Sequence, residues 1–230
     1  MQQASGHTLK AFDEDIERLR ALISQMGGLA EHAIGEAMRC LIQRDIDGAE
    51  RVVEDDKKLD ALEVETERRA VQLIALRAPM AGDLRDVVAA LKISGVVERI
   101  GDYAKNIAKR VPLLENVSKI EPLSLLPEMA RISTAMVHDV LDAFVERDAQ
   151  AAVAVCERDN AVDDFYDSIF RTLLTHMMEN PHNIGQSAHL LFVAKNLERV
   201  GDHATNIAEM VYFAATGQHM PERIRNPWTG

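Results

Sequence analysis

The chain has 230 residues, 37 acidic and 26 basic, for a formal net charge of −11, a balance that argues against a nucleic-acid-binding surface. No apolar run approaches the roughly 20 residues needed to span a bilayer. The N-terminal MQQASGHTLKAFDED lacks a cationic stretch followed by an apolar one, so the sequence reads as soluble, unexported and cytoplasmic.

Aromatic residues make up 4% of the chain and no stretch alternates with period two between turn residues, so an all-α fold is expected. The first helix is predicted from Asp13 to Gln43, where Ile16, Leu19, Ile23, Met26, Ala30, Ala33, Ala37 and Leu41 step by three or four. Its leading Asp-Glu-Asp suits the positive end of the helix dipole. A second helix, Asp47 to Leu76, ends before Pro79, and a third, Asp83 to Arg110, ends before Pro112. Residues 1–115 thus form one three-helix unit, and residues 116–127, holding Ser118, Pro122 and Pro127, read as a linker. A second unit, residues 128–217, repeats the order with Glu128 to Glu146, Ala149 to Glu179 and Ile184 to Ala215, and Pro181 stands where Pro79 stood. The tail, residues 218–230, has two prolines and no periodicity, which puts Trp228 outside the core. Cys40 and Cys156 sit in different predicted helices and belong to no CxxC pair, so buried, reduced thiols are expected.

The two units are copies. Glu98 to Ala108 (ERIGDYAKNIA) returns as Glu198 to Ala208 (ERVGDHATNIA), identical at eight positions. Helix two repeats at a constant offset of 103, with Arg44, Asp45, Ala49, Val52, Glu54, Asp56, Asp60 and Arg68 recurring as Arg147, Asp148, Ala152, Val155, Glu157, Asp159, Asp163 and Arg171. Each unit therefore carries two acidic pairs at i,i+4: Asp56/Asp60 with Glu98/Asp102, and Asp159/Asp163 with Glu198/Asp202. One such pair is most often a solvated helix face. Like charges at this spacing cost a few tenths of a kcal/mol per pair, so keeping all four at equivalent places calls for something that offsets the repulsion. A bound cation is the simplest candidate.

On the third helix, Glu98, Asp102 and Asn106 share one sector while Val96, Ile100, Ala104 and Ile107 take the opposite one, so the acids are expected to face outward into an open groove between helices two and three. Carboxylate and amide oxygens without cysteine or paired histidine favour hard cations (Mg²⁺, Mn²⁺, Ca²⁺ or oxidised iron) over Zn²⁺, and several carboxylates could bridge more than one ion. Arg99 and Arg199 read equally as exposed ion pairs or as residues supporting the ligands. Gly101 and Gly201 point to close helix approach, because glycine inside a helix costs roughly 1 kcal/mol relative to alanine. His203, whose counterpart is Tyr103, reads as a surface histidine.

Beside these residues, the segments RAPMAGDLR (Arg77 to Arg85), Met26 to Gly28 and HDVLDAF (His138 to Phe144) complete a pattern that resembles the PhoU family of bacterial phosphate-responsive regulators across nearly the whole chain. The resemblance implies two tandem three-helix bundles in pseudo-twofold relation, whose E/DxxxD motifs hold metal ions, sometimes as multinuclear clusters. Carried over residue by residue, it makes Asp56, Asp60, Glu98 and Asp102 one metal set and Asp159, Asp163, Glu198 and Asp202 the second, with Asn106 and Asn206 as weaker candidates. It further implies a non-enzymatic negative regulator of phosphate uptake and of phosphate-responsive two-component signalling. Such a regulator contacts the phosphate ABC transporter ATPase and the sensor histidine kinase at the cytoplasmic membrane face, often as a homodimer. RAPMAGDLR has no equivalent in the second unit, where Asn180 to His189 reads NPHNIGQSAH, so it marks either a partner surface or a differently built turn. Beside a metal-free helical scaffold with solvated acidic stripes, a diiron-carboxylate enzyme is the main rival class, but it needs Glu-x-x-His on two helices, and the chain offers only Glu179 to His182 across Pro181.

Overall fold

The computed structural model describes residues 2–114 and 124–221, with side chains from residue 12 onward. Residues 116–123 of the expected linker and the end of the tail, including Trp228, lie outside the described residues. Among the described residues there are seven α-helices and no strand: α1 (Gln2–Gln43), α2 (Ile46–Arg77), α3 (Gly82–Ala108), α4 (Leu126–Glu146), α5 (Ala149–Glu157), α6 (Asp159–Glu179) and α7 (Ile184–Thr216). Short 3₁₀ turns at Pro112–Leu114 and Pro181–Asn183 mark the prolines that end helical runs. None of these helices is long and apolar enough to cross a membrane.

The repeat is visible in local backbone geometry. Arg44 and Arg147 both take the left-handed conformation, with φ of 59° and 57°. The aspartate after each then caps the next helix: Asp45 accepts from the Gly48 N–H, and Asp148 accepts from the N–H groups of Gln150 and Ala151. The units diverge one turn later. The expected single helix Ala149 to Glu179 is broken at Arg158, where the tighter bonds Arg158 N–H to Val155 O and Ala161 N–H to Arg158 O replace the α-helical pattern. Arg158 reaches across to Asp139 of α4 at 2.5 Å, whereas its counterpart Asp55 pairs with Lys58 on its own continuous helix. The first helix also begins earlier than predicted, at Gln2 rather than Asp13.

In the first unit α1 and α2 pack on α3, and in the second α4, α5 and α6 pack on α7. The units meet through α3 on α7 and α1 on α4, both antiparallel: Arg85 near the start of α3 donates to Ala214 O near the end of α7, Arg110 at the other end lies 3.9 Å over the Phe192 ring, and Glu31 faces His138. One buried cluster runs through both units, including Leu19, Ile23 and Met26 of α1, Ile93, Ile100 and Ile107 of α3, Met129 and Met136 of α4, and Val193, Leu197 and Val200 of α7. Each such side chain contributes about 1.5–3 kcal/mol of burial. Gly27 sets the α1–α4 spacing, since a Cβ there would stand 2.3 Å from Leu141 Cδ1. Cys40 and Cys156 are buried and form no disulfide, as expected.

RAPMAGDLR is a turn that joins the units. Ala78 (φ 44°) closes α2 in the left-handed conformation and Ala81 (φ 47°, ψ −111°) precedes α3, a strained pair of positions for residues with a side chain. Just beyond, Asp86 is buried and its Oδ2 lies 3.3 Å from both Arg20 of α1 and Arg147 at the α4–α5 corner. Burial pushes the Asp86 carboxyl above its usual range, against the pull of Arg147 and Arg20. Across the α1–α4 seam, His138 Nδ1 lies 3.2 Å from Glu31, and that hydrogen bond raises the imidazole pKa.

Two outcomes follow from these contacts. Asp86→Ala should lower stability by about 2 kcal/mol, the range for charge-assisted bonds; urea denaturation of the single variants and of the double variant with Arg147→Ala should show non-additivity, and strict additivity would mean the two do not interact. Because the folded pKa of His138 lies above its unfolded value, the pair's contribution is complete below the unfolded value and fades as pH rises through the folded one. His138→Ala should therefore lower the unfolding free energy, measured by urea denaturation, by under about 1 kcal/mol at pH 5.5 for so exposed a pair, and scarcely at pH 9.

Candidate metal centres

α2 and α3 lie unusually close where the first acidic set sits, because Gly101 has no side chain. A Cβ there would stand 2.2 Å from Leu59 Cδ2 and 3.5 Å from Asp56 Oδ1. In the second unit a Cβ on Gly201 would stand 3.3 Å from Asp159 Oδ1 and 3.4 Å from Val162 Cγ1. The close-approach reading of both glycines holds. It also corrects the expectation that the carboxylates all face an open groove: the Asp56 side chain is only 7% exposed, and Asp159 is buried. Helical phase on α3 alone could not reveal how far α2 would close over the seam. Asp60 is exposed, while Glu98, Asp102, Asp163, Glu198 and Asp202 are half-buried.

The first set is held by a lysine. Lys105 contacts Asp56 Oδ2 and lies 2.5 Å from Asp102 Oδ1, so an ammonium ties α2 to α3 through two of the four predicted residues. Glu98 is not part of this pair, and its pKa is pushed up by burial first and then by the charges of Asp102, Glu63, Asp60 and Asp56. Glu63, also raised by burial and by Glu67 and Asp60, is a fifth carboxylate that the repeat could not identify, because its counterpart is Tyr166. It lies against α3 at Gly95, 3.3 Å from where a Cβ would stand. The spacing Asp56, Asp60, Glu63, Glu67 along one face of α2 was the available signal.

In the second set, Lys195 Nζ meets Glu198 Oε1 at 2.6 Å and lies 5.1 Å over the Tyr166 ring. Glu198 Oε2 is buried and has no hydrogen-bond partner among the described residues. A buried carboxylate oxygen left unsatisfied costs about 1–3 kcal/mol or more. Among the described residues, no three His, Cys, Asp or Glu side chains already converge in ligand geometry. The donor chemistry nonetheless fits a hard cation: the oxygen-only sets, the orphaned Glu198 oxygen, and a lysine ammonium seated between Asp56 and Asp102 all bear on positive charge. Asp56, Glu98, Asp102 and Asp60 would hold such an ion in the first unit, and Asp159, Glu198, Asp202 and Asp163 in the second.

The two sets flank the line where α3 crosses α7. There position 103 meets position 203: the rings pack edge to face with centroids 5.1 Å apart, and the Tyr103 hydroxyl stands 3.4 Å from His203 Nε2. His203 Nδ1 donates to Arg199 O at 2.9 Å, which leaves Nε2 to accept. Burial lowers the imidazole pKa. His203 is therefore an inter-unit packing residue rather than the surface histidine expected, because pseudo-twofold packing sets equivalent positions face to face. Arg99 and Arg199 form no ion pair among the described residues; Arg199 lies 5.9 Å over the Tyr103 ring. Glu179 ends α6 and His182 sits in the following 3₁₀ turn, both exposed, so Glu-x-x-His does not project from one helix face as the diiron class requires.

A family model described as PhoU domain matches residues 23–111 and again 126–211. The chain is 57% identical to the phosphate-specific transport system accessory protein PhoU homolog of Zymomonas mobilis over 98% of this chain and 96% of that one. It is 47% identical to the homolog of Caulobacter vibrioides, over 93% and 94%. Among solved structures, the fold is similar to a PhoU crystal structure from Pseudomonas aeruginosa (TM-score 0.86, 34% identity, 90% of this chain and 100% of that one). It is also similar to the phosphate transport system regulatory protein PhoU from Streptococcus pneumoniae (TM-score 0.85, 26% identity, 92% and 100%).

The two glycines should respond differently to alanine. At Gly101 the added methyl collides with buried Leu59, an overpacking cost of roughly 1–3 kcal/mol. At Gly201 the closest contacts are only tight, and the gain in helix propensity of about 1 kcal/mol should largely cancel them. Thermal melts that rank Gly201→Ala as the more damaging change would contradict this account of the seam.

Proposed function

Since the chain belongs to the PhoU family, we propose that it is a metal-binding, non-enzymatic negative regulator of phosphate uptake and of phosphate-responsive two-component signalling. The observation that carries the reading is its near full-length kinship with a phosphate-specific transport system accessory protein, 57% identical over 98% of the chain. In this reading the protein works by contact, as a homodimer engaging the ATPase of the phosphate ABC transporter and the sensor histidine kinase, and reaches the membrane face through them.

The carboxylate sets have a defined part. A bound hard cation would supply positive charge that ties α2 to α3 and α6 to α7. The protein's own residues do the rest: Gly101 and Gly201 admit Asp56 and Asp159 into the seams, and Glu98/Asp102 and Glu198/Asp202 carry the facing oxygens. A surface with so many carboxylates repels inorganic phosphate, so any direct contact with phosphate requires an intervening cation.

Deleting the gene should derepress phosphate uptake and a phosphate-responsive reporter in phosphate-rich medium, with repression restored by the wild-type gene; unchanged repression in the deletion strain would sink the regulatory reading. The metal part is separable. Glu98→Gln with Asp102→Asn, combined with Glu198→Gln and Asp202→Asn, should strip bound metal measured by elemental analysis of protein purified without chelators.

A further inference from the structure

The two units differ at one position that bears directly on cation entry. Lys105 stands one turn beyond Asp102, and its ammonium touches Asp56 of α2 while lying 2.5 Å from Asp102 of α3. Its counterpart in the repeat is Thr205, a buried residue whose hydroxyl donates to Asp202 O at 2.7 Å. The lysine near the second set approaches from the other direction. Lys195 stands one turn before Glu198, which it meets at 2.6 Å, and has Gly95 as its counterpart. The lysines are therefore not copies of one another. Lys105 is also the more enclosed, 23% exposed against 43% for Lys195.

From this we infer that Lys105 is a tethered counter-ion of the first carboxylate set, which an entering hard cation must displace. The inference rests on the metal-binding reading above. Asp56 is enclosed in the α2–α3 seam and would be costly as a bare anion; the ammonium neutralises it without any metal and keeps the seam closed. A metal entering the first set must push Lys105 outward, which its remaining exposure and flexible four-carbon stem allow. Because the competitor is covalently attached, it acts at high effective concentration and is not diluted as the protein is. At the equivalent position the second set has Thr205, whose hydroxyl is already held by Asp202 O. The first carboxylate set thus loads by exchange, an ion entering as Lys105 leaves.

The test isolates the first set in full-length protein carrying Glu198→Gln and Asp202→Asn and follows free Mn²⁺ by its electron paramagnetic resonance signal. Adding Lys105→Met, which keeps the stem and removes the charge, should tighten Mn²⁺ binding roughly tenfold or more, the scale of a charge-assisted bond no longer broken. Lys105→Arg should leave it weak, and the rise in Tm produced by Mn²⁺ should be larger in the Met variant. Lys105→Gln serves the same comparison if the Met variant fails to fold. Mn²⁺ affinity unchanged or weaker without the lysine charge would overturn the inference while leaving the metal sites standing. If neither this protein nor wild type bound Mn²⁺, the metal-binding reading would fall together with it.

Discussion

Two absent side chains set the geometry on which the acidic sets depend. Without a Cβ at Gly101, Leu59 packs into the space and α2 lies against the α3 backbone; at Gly201 the gap is filled by Asp159 and Val162. Each glycine costs the helix about 1 kcal/mol of propensity, and what it permits is a carboxylate lodged between two helices rather than waving on their surface. Enclosure there raises the energy of the charged form, and in the first unit Lys105 answers it by spanning the seam, while in the second Lys195 holds Glu198.

The crossing of α3 and α7 gives these sets a common frame. Tyr103 and His203 occupy equivalent positions in the repeat and touch each other, so the local twofold runs between them. Several departures from symmetry lie away from this line: the buried Asp86 with its two arginines, the turn with two alanines at positive φ, and the break at Arg158. At the ends of the helices the copies have diverged, while the crossing segment keeps eight of eleven residues and changes only Ile100 to Val200, Tyr103 to His203 and Lys105 to Thr205.

Much of this was legible in the residues. Apolar spacing and the prolines placed six helical spans to within a few residues at most ends, and the recurrent glycines correctly pointed to close approach. What failed had local causes. The Arg158 break depends on a partner, Asp139, distant in sequence, and no breaker residue marks it. The buried state of Asp56 and Asp159 depends on how α2 and α6 pack, which phase along α3 cannot report. Lys105 lay in plain view one turn beyond Asp102, but matching only the residues common to both copies discards the positions where the copies differ. For the same reason Glu63 and the pairing of Tyr103 with His203 were missed, and RAPMAGDLR, which the residues left open between a partner surface and a differently built turn, carries the Arg85 that reaches Ala214 of the other unit.

The contacts joining the units also constrain the order in which the protein can assemble. Tyr103 and His203 are separated by 100 residues, Glu31 and His138 by 107, and Arg85 and Ala214 by 129. At about 5–20 residues per second of synthesis, α3 leaves the ribosome on the order of 5–20 s before the helix that covers it. During that interval the first unit can close its own seam, with Lys105 on Asp56, while the face destined for α7 stays uncovered. A tethered ammonium serves this nascent stage well, since it lets α2 and α3 dock before any outside ion is captured. Completion of the shared core then waits on α7.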